Sequence, residues 1–199
     1  MARKTEKNRI GVEFTTNEGY QVIVLEYKGC YEVQVMFLDE HKWITWSSWG
    51  NLRKGVLKNP FHKSVCGIGY LGVDKNNEKP RVCINGQDTR EYTVWKSMLH
   101  RCYNEKFHEK HPTYEKCIVW ERWHNYSLFL EDMPKIQGYE LWLENDKYDL
   151  NKDMYYTNLG IETNEKIYSL ETCRFIHEKD NYDEMMNRRR KRKEHSHHE

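Results

Sequence analysis

Three pieces of sequence in the second half of this chain decide its fold. They are WKSMLHRCYN (95–104), YEKCIVWERWHNYSLFLEDM (114–133) and KIYSLETCRFI (166–176). The first two pieces place apolar residues three and four positions apart, which predicts two amphipathic helices. The three pieces also contain three of the six cysteines. We therefore expect a core built largely from aromatic rings and free thiols.

The first predicted helix follows a cap at Thr89 or Thr93. Its buried face comprises Val94, Trp95, Met98, Leu99, Cys102 and Tyr103. The second predicted helix covers residues 119–130 and ends before Pro134, because proline cannot continue a helix. Residues 104–113, between the two helices, are polar and are predicted to form a loop.

The C-terminal part of the chain has a strongly uneven charge. Residues 181–193 are predicted to form a helix that begins acidic and ends basic, the order that suits the helix dipole. The acidic segment 139–153 is expected to be a solvated loop. Without the six consecutive cations of RRRKRK, 26 basic residues remain against 31 acidic ones. A run of six cations favours salt-dependent binding of nucleic acid. The residues of this run are Arg188, Arg189, Arg190, Lys191, Arg192 and Lys193.

The N-terminal part alternates apolar and polar residues, which predicts an antiparallel β meander. Its runs are GVEFT (11–15), YQVIVLEY (20–27), CYEVQVMFL (30–38) and KWITW (42–46). We expect a curled, SH3-like sheet with one polar face. The tryptophans near its end are interpreted as core residues rather than a stacking platform for bases. Residues 51–60 are expected to form a loop that carries two candidate contacts to nucleic acid, Arg53 and Lys54.

Composition divides the chain into a β module (residues 1–80), a helical domain (81–187) and a basic, histidine-rich tail (188–199). The predicted class is therefore α+β. The cysteines show no C-x-x-C pair, which favours reduced thiols and a cytoplasmic protein. No apolar run is long enough to cross a membrane, and no signal peptide is recognisable, so no membrane contact is expected.

A glycine pattern, G-x-G-x-x-G at Gly67, Gly69 and Gly72, resembles a dinucleotide-binding loop. In such a site the pattern opens a helix whose N-terminus binds the pyrophosphate. Here it leads into DKNNEKP (74–80), which is typical of a loop. We therefore expect no nucleotide cofactor and interpret the glycines as sites of turns or of close packing.

Four motifs together resemble phage-encoded HNH-type homing endonucleases. They are WKSMLHRCYN (95–104), the aromatic-rich piece 114–133, LNKD (150–153) and YSLETCRF (168–175). The resemblance implies a ββα-metal domain following the small N-terminal β unit. Its first strand would end within residues 150–154, its second strand would lie near residues 166–176, and its helix would begin at Glu178.

In an HNH site, a histidine at the end of the first strand activates water, and one divalent metal stabilises the charge on the phosphate. This chain has Asn151-Lys152-Asp153 at that place. The resemblance therefore implies Asp153, Glu171 and His177 as catalytic candidates. Asp153 and Asn181 are the candidate ligands for Mg²⁺, which prefers oxygen donors.

The expected function is that of a phage-type DNA-binding protein with metal-dependent phosphodiester cleavage, a DNA endonuclease of degenerate HNH type. The alternative is a catalytically inactive phage protein that binds a host protein or nucleic acid, such as a host-takeover or anti-defence inhibitor. The lysine at position 152 and the acidic body of the chain motivate this alternative. A third hypothesis is RNA binding through the aromatic-rich sheet.

Overall fold

The structure is a computed structural model that describes residues 9–161, 163 and 165–195, with residue 188 and residues 191–195 described by their backbone alone. Helices and strands are mixed, as the α+β prediction requires. The chain forms two compact units. The first contains the chain up to Lys63 and Tyr70–Pro80, and the second contains Ser64–Gly69 and the chain from Arg81 onward.

The first unit is built on a four-stranded antiparallel sheet in the order β1-β2-β3-β4, which confirms the predicted meander. Its β-branched and aromatic residues alternate, so one face can pack while the other meets water. The strands are β1 (Glu13–Thr15), β2 (Gln21–Gly29), β3 (Glu32–Phe37) and β4 (Ile44–Ser47). The finer likeness to an SH3 sheet stays a prediction.

The tryptophans of the first unit have different environments. Trp43 is buried and stacks on Phe37, with ring centroids 5.6 Å apart. Trp49 is partly buried against the core. Trp46 is 44% exposed, and the Lys28 ammonium lies 4.5 Å from the centre of its ring. The interpretation as core is therefore confirmed for Trp43 and Trp49 and wrong for Trp46.

A short helix, α1 (Trp49–Lys54), forms where residues 51–60 were predicted to be a loop. The Ser48 hydroxyl accepts a hydrogen bond of 3.1 Å from the amide of Asn51, which caps the first turn. Gly55 ends the helix in the left-handed conformation, at φ +66°, which favours glycine. The exposed last turn of this helix carries Arg53 and Lys54.

The second unit is mainly helical. Its helices are α2 (Arg90–Tyr103), α3 (Glu105–Lys110), α4 (Tyr126–Asp132), α5 (Tyr139–Glu144), α6 (Asp153–Asn158) and α7 (Glu178–His195). Short 3-10 helices cover Pro112–Tyr114, Glu121–His124 and Met133–Lys135. The predicted helix over residues 181–193 is confirmed as part of α7.

The strands of the second unit pair two by two. They are β5 (Cys83–Ile84) with β6 (Gln87–Asp88), β7 (Ile118–Val119) with β9 (Ile167–Tyr168), and β8 (Tyr148–Asn151) with β10 (Arg174–His177). The β7–β9 pair is parallel and the other two are antiparallel.

Helix α2 confirms the first helix prediction. The Thr89 side chain accepts a 3.2 Å hydrogen bond from the amide of Tyr92, so Thr89 is the cap. The buried residues of α2 are Trp95, Met98, Leu99 and Cys102. Gly69 packs against this face, since a Cβ at Gly69 would lie 2.9 Å from the Trp95 ring. Close packing explains this glycine, which confirms the prediction for Gly69.

Two predicted loops are regular structure instead. Residues 104–113 contain α3, because the Asn104 side chain accepts a hydrogen bond of 2.9 Å from the amide of Phe107 and caps the helix. The acidic segment 139–153 contains α5 and β8. It is anchored by Trp142, which is buried and stacks on Phe175 with centroids 5.0 Å apart.

The second predicted helix, over residues 119–130, is wrong in its first half. Ile118 and Val119 pair with β9, and a 3-10 turn follows before α4 begins at Tyr126. The Asn125 side chain accepts a hydrogen bond of 2.9 Å from the amide of Ser127, which sets this start.

Arg90 connects the start of α2 to the segment that leads into β8. Its guanidinium donates hydrogen bonds to the carbonyl oxygens of Trp142, Asn145 and Tyr148. The same guanidinium lies 4.1 Å from the centre of the Trp142 ring. Within the described part of the chain, no helix is both long and apolar enough to cross a membrane.

Candidate functional site

Strands β8 and β10 and helix α7 form a ββα arrangement. The two strands pair from Asn151 opposite Arg174 to Tyr148 opposite His177. Helix α7 begins at the next residue, Glu178, whose amide donates a hydrogen bond of 2.8 Å to the carbonyl of Lys147. The predicted end of the first strand and the predicted start of the helix are both confirmed.

The long connection between β8 and β10 contains the YSLETC motif. The Thr172 hydroxyl donates a hydrogen bond of 2.6 Å to the carbonyl of Ile167 and accepts one of 3.1 Å from the amide of Ser169. The Cys173 amide donates to the Ser169 carbonyl at 3.0 Å. The motif therefore closes a turn between β9 and β10. Glu171, a catalytic candidate, is exposed in that turn.

Asn151 ends β8 and is only 6% exposed. Its side-chain oxygen accepts a hydrogen bond of 2.8 Å from the amide of Met154, which starts α6. Its amide nitrogen donates to the side-chain oxygen of Asn181 at 2.8 Å. An asparagine ligates Mg²⁺ through this same oxygen. Asn181, a candidate metal ligand, thus uses its ligating atom to join α7 to the end of β8.

Asp153 binds two lysines through one oxygen. The Nζ atoms of Lys152 and Lys166 lie 3.2 Å and 2.8 Å from Oδ1 of Asp153. The two lysine side chains are only 3% and 11% exposed. Lysine is rarely buried unless its charge is compensated, so this group of Lys152, Asp153 and Lys166 is unusual. We call it the lysine cluster.

Aromatic rings hold the Lys152 ammonium from two sides. It lies 4.8 Å from the ring centres of both Tyr114 and Tyr168. Burial lowers the pKa of this ammonium, but attraction from Tyr168 and from the Asp153 carboxylate outweighs burial, so its pKa lies above the ordinary value. Lys152 is therefore a cation at neutral pH and cannot act as a general base.

Tyr168 is buried between two cationic side chains. The Arg101 guanidinium lies near its hydroxyl, while Lys152 faces its ring. Burial raises the pKa of Tyr168 despite these two positive neighbours, so the phenol is neutral near pH 7. Asp153 is then the carboxylate that balances Lys152.

Three cysteines lie close to the lysine cluster. Cys102, Cys117 and Cys173 are buried, and none of the six cysteines forms a disulfide. Burial raises the pKa of Cys102 and of Cys173 to about 12. The Cys117 thiol, whose pKa burial also raises, donates to the carbonyl of Thr113 at 3.6 Å. These thiols are protonated near neutral pH, so they act as core side chains rather than nucleophiles.

His177, the third catalytic candidate, lies at the end of β10. Its Nδ1 accepts a hydrogen bond of 3.2 Å from the amide of Lys179, and its ring packs edge-on against Tyr148 at 5.4 Å. Among the described residues, no group of three or more His, Cys, Asp or Glu side chains is arranged to hold a metal ion. The catalytic roles and the Mg²⁺ site stay predictions.

The candidate contacts to nucleic acid lie in both units. Arg53 and Lys54 are exposed on α1, and Arg189 and Arg190 are exposed on α7. The run of six cations has four further members whose side chains are not described. They are Arg188, Lys191, Arg192 and Lys193.

Beside the lysine cluster is a cavity of about 380 Å³ that sequence reasoning did not predict. Its described lining consists of His111, Thr113, Tyr114, Cys117, Lys152, Asp153, Thr163, Lys166, Met185 and Arg189. Lys152 lies directly before α6, and the other lining residues come from α6, α7 and the segments around residues 111–117 and 163–166. The sequence signal was a lysine directly before an acidic residue, Lys152-Asp153, and exposed lysines produce the same pattern.

No protein-family model, no curated protein and no solved structure matches this chain.

Proposed function

We propose that this protein binds nucleic acid on a scaffold similar to that of HNH-type endonucleases, with the lysine cluster in the place of the metal centre. One observation carries the proposal. At the end of β8, where the resemblance places the base histidine and the metal, two buried ammonium groups share one oxygen of Asp153. The site holds positive charge through side chains of the chain itself.

Electrostatics favours an anion over a second cation at this place. A magnesium ion bound to Asp153 would compete with two ammonium groups for the same carboxylate, and both would repel it. A phosphate would instead be attracted by the same two ammonium groups. In a partly buried site, water screens this attraction less than on the surface.

Further support comes from the exposed cations on two helices. Arg189 and Arg190 lie on α7, the helix of the ββα arrangement, and Arg189 also lines the cavity. Arg53 and Lys54 lie on α1 of the first unit. Contacts of this kind bind phosphates without reading the base sequence.

The proposal is tested by fluorescence anisotropy with labelled single-stranded and duplex oligonucleotides over a series of salt concentrations. We expect binding whose logarithmic affinity falls linearly with the logarithm of the salt concentration, with a loss of about 0.7 to 0.9 per phosphate contacted. Exchanging the base sequence should change the affinity little. Absence of binding at low salt to every oligonucleotide would contradict the proposal.

Metal-dependent cleavage is the second candidate function. It is favoured by the order β8, β10 and α7 and by the position of His177 at the junction of β10 and α7. Incubation of supercoiled plasmid with Mg²⁺ or Mn²⁺ separates the two candidates. The binding proposal expects no nicking with either metal. Nicking by the wild type that Asp153→Ala abolishes would establish the endonuclease instead.

A protein partner is the remaining alternative, and α5 gives it a specific basis. Leu141 and Leu143 are about half exposed, at 49% and 50%, and acidic residues flank them. A surface of this kind would suit a partner with a basic, apolar surface. In a pull-down from host lysate, a stoichiometric protein that Leu141→Glu releases would support this alternative over nucleic acid.

A further inference from the structure

The cavity beside the lysine cluster is large enough for a small ligand. Its volume of about 380 Å³ lies within the usual range for ligand pockets, about 300 to 1,000 Å³. It therefore has room for a phosphate group and for part of the molecule that carries the phosphate. Tyr114 and Met185 supply apolar lining, and Thr113 and Thr163 supply hydroxyl groups.

The charge of the lining is strongly positive. Lys152, Lys166 and Arg189 face a single carboxylate, Asp153, among the described lining residues, and these four side chains leave two positive charges. The two lysine side chains are nearly excluded from water. Buried charge without a counter-charge is costly, so an anion in the cavity would relieve that cost.

The cationic groups also have hydrogen-bond donors to spare. Each ammonium has three protons, and the described hydrogen bonds of Lys152 and of Lys166 use one proton each on Asp153. The Lys152 ammonium also faces the rings of Tyr114 and Tyr168, and the Lys166 ammonium faces the ring of Tyr156. Arg189 adds a planar guanidinium, which can bind two oxygens of one phosphate. Three donor groups around one cavity can together satisfy the terminal oxygens of a tetrahedral oxyanion.

We propose that this cavity binds a terminal phosphate, a phosphate monoester at the end of a nucleic-acid strand. The inference that this phosphate belongs to a nucleic-acid strand rests on the proposed function. A monoester carries between about 1.5 and 2 negative charges at pH 7, which matches the two positive charges of the lining. An internal phosphodiester carries one charge, so it matches the two positive charges of the lining less well.

The test compares oligonucleotides of one sequence that carry a phosphate at the 5′ end, at the 3′ end or at neither end. Anisotropy at fixed salt should show one phosphorylated oligonucleotide binding about tenfold more tightly than the unphosphorylated one, because charge-assisted hydrogen bonds are gained. Adenosine monophosphate and inorganic phosphate serve as competitors, and they distinguish a strand end from a mononucleotide or free phosphate.

Matched variants assign the preference to the cavity. Arg189→Gln should abolish the preference for the terminal phosphate, while Arg190→Gln, the same change one residue along α7, should keep it. Lys152→Met should also abolish the preference, and Lys147→Met, at an exposed position before β8, should keep it. Since Arg189 is exposed, its substitution gives a readout even if Lys152→Met does not fold. Asp153→Asn removes the competing carboxylate and should strengthen binding, whereas a metal site would be weakened.

The outcomes separate the site from the proposed function. Equal binding of all three oligonucleotides by the wild type would overturn the terminal-phosphate site and leave nucleic-acid binding standing. A different result is that no oligonucleotide binds, but inorganic phosphate raises the melting temperature of the wild type and not of Arg189→Gln. This result would support an anion site in the cavity and would overturn the inference that its phosphate belongs to a nucleic-acid strand. Loss of the preference in Arg190→Gln as much as in Arg189→Gln would assign it to the general charge of α7 and overturn the proposal.

Discussion

Two aspartates in the second unit each hold two cationic side chains, but their surroundings differ. Asp132 accepts hydrogen bonds from Arg122 and Lys135, both at 2.7 Å, and from the indole of Trp123 at 3.1 Å. Asp153 accepts from two lysines on one oxygen. The cations at Asp132 are 31% and 52% exposed, whereas those at Asp153 are 3% and 11% exposed.

The difference teaches that the exposure of the cations and the carboxylates around them decide what such a cluster can do. Around Asp132, the Glu131 carboxylate also pairs with Arg122 and Lys135, at 3.2 Å and 3.8 Å, so the two cations face two carboxylates. Both oxygens of Asp132 are occupied. That cluster therefore only fastens the residues before α4 to its C-terminal end. Around Asp153 the surplus charge borders a cavity and is little screened. The same residue types thus form a structural anchor in one place and a candidate anion site in the other.

The largest expected effect is the loss of the Asp132 anchor. Asp132→Ala leaves the buried Trp123 indole without its acceptor and removes two charge-assisted hydrogen bonds, so we expect the free energy of unfolding to fall by about 3 kcal/mol. Urea unfolding followed by tryptophan fluorescence measures the change. Phosphate should not restore stability, since both cations are partly exposed and still pair with Glu131. A loss below about 1 kcal/mol, within the range of a surface ion pair, would show that the cluster is not an anchor.

A smaller loss is expected at the lysine cluster. Asp153→Asn removes the counter-charge of two buried ammonium groups but keeps an oxygen acceptor, so the free energy of unfolding should fall by about 2 kcal/mol in phosphate-free buffer. Inorganic phosphate should restore part of this loss and should stabilise the variant more than the wild type. The same assay on Asp132→Asn is the control. Equal effects of phosphate on both variants would remove the distinction between the clusters.

The pH dependence of stability gives a third comparison. Burial raises the pKa of the Asp132 carboxyl, but hydrogen bonds from Arg122, Lys135 and Trp123 lower it more, so its pKa lies below the ordinary value. The stabilisation is therefore complete above the unfolded pKa of about 4 and is lost as pH falls through the lowered, folded pKa. The stability difference between wild type and Asp132→Asn should be constant near neutrality and shrink in acid. A difference that grows below pH 4 would contradict this assignment.

The smallest effect on stability is expected for Lys152→Met. Methionine fills a similar volume without the desolvation cost of a buried ammonium, and Lys166 still pairs with Asp153, so stability should change by no more than about 1 kcal/mol. Binding of the terminal phosphate should nevertheless be lost. Urea unfolding and anisotropy on one preparation check both halves. A large loss of stability would show that Lys152 is a structural anchor, like Arg122 and Lys135 at Asp132.

Much of the fold could be predicted because its signals are local and periodic. The alternating runs predicted the meander of the first unit, and apolar spacing with a threonine cap predicted α2. The helix predicted over residues 119–130 failed because Ile118 and Val119 pair with a strand far along the chain, which overrides local spacing. The loops predicted at α1 and α3 are wrong because the side chains of Ser48 and Asn104 cap short helices in these polar segments.

The candidate site was less predictable than the fold. The resemblance predicted where β8 ends and where α7 begins. It also marked position 152, where this chain has a lysine in place of the expected histidine. The role of Lys152 did not, because a lysine in a charged segment reads as exposed. Its partners Tyr114, Lys166 and Tyr168 come from distant segments and share no spacing with it.

The sequence by itself determined the β meander and helix α2, since hydrophobic periodicity, caps and turns act between near neighbours. The order of β8, β10 and α7 was implied by the resemblance to HNH-type endonucleases. Only the tertiary structure decided that Lys152 and Lys166 share one oxygen of Asp153 beside a cavity. A lysine is buried only when distant segments supply a carboxylate and aromatic faces for its charge. That supply depends on how the whole second unit packs.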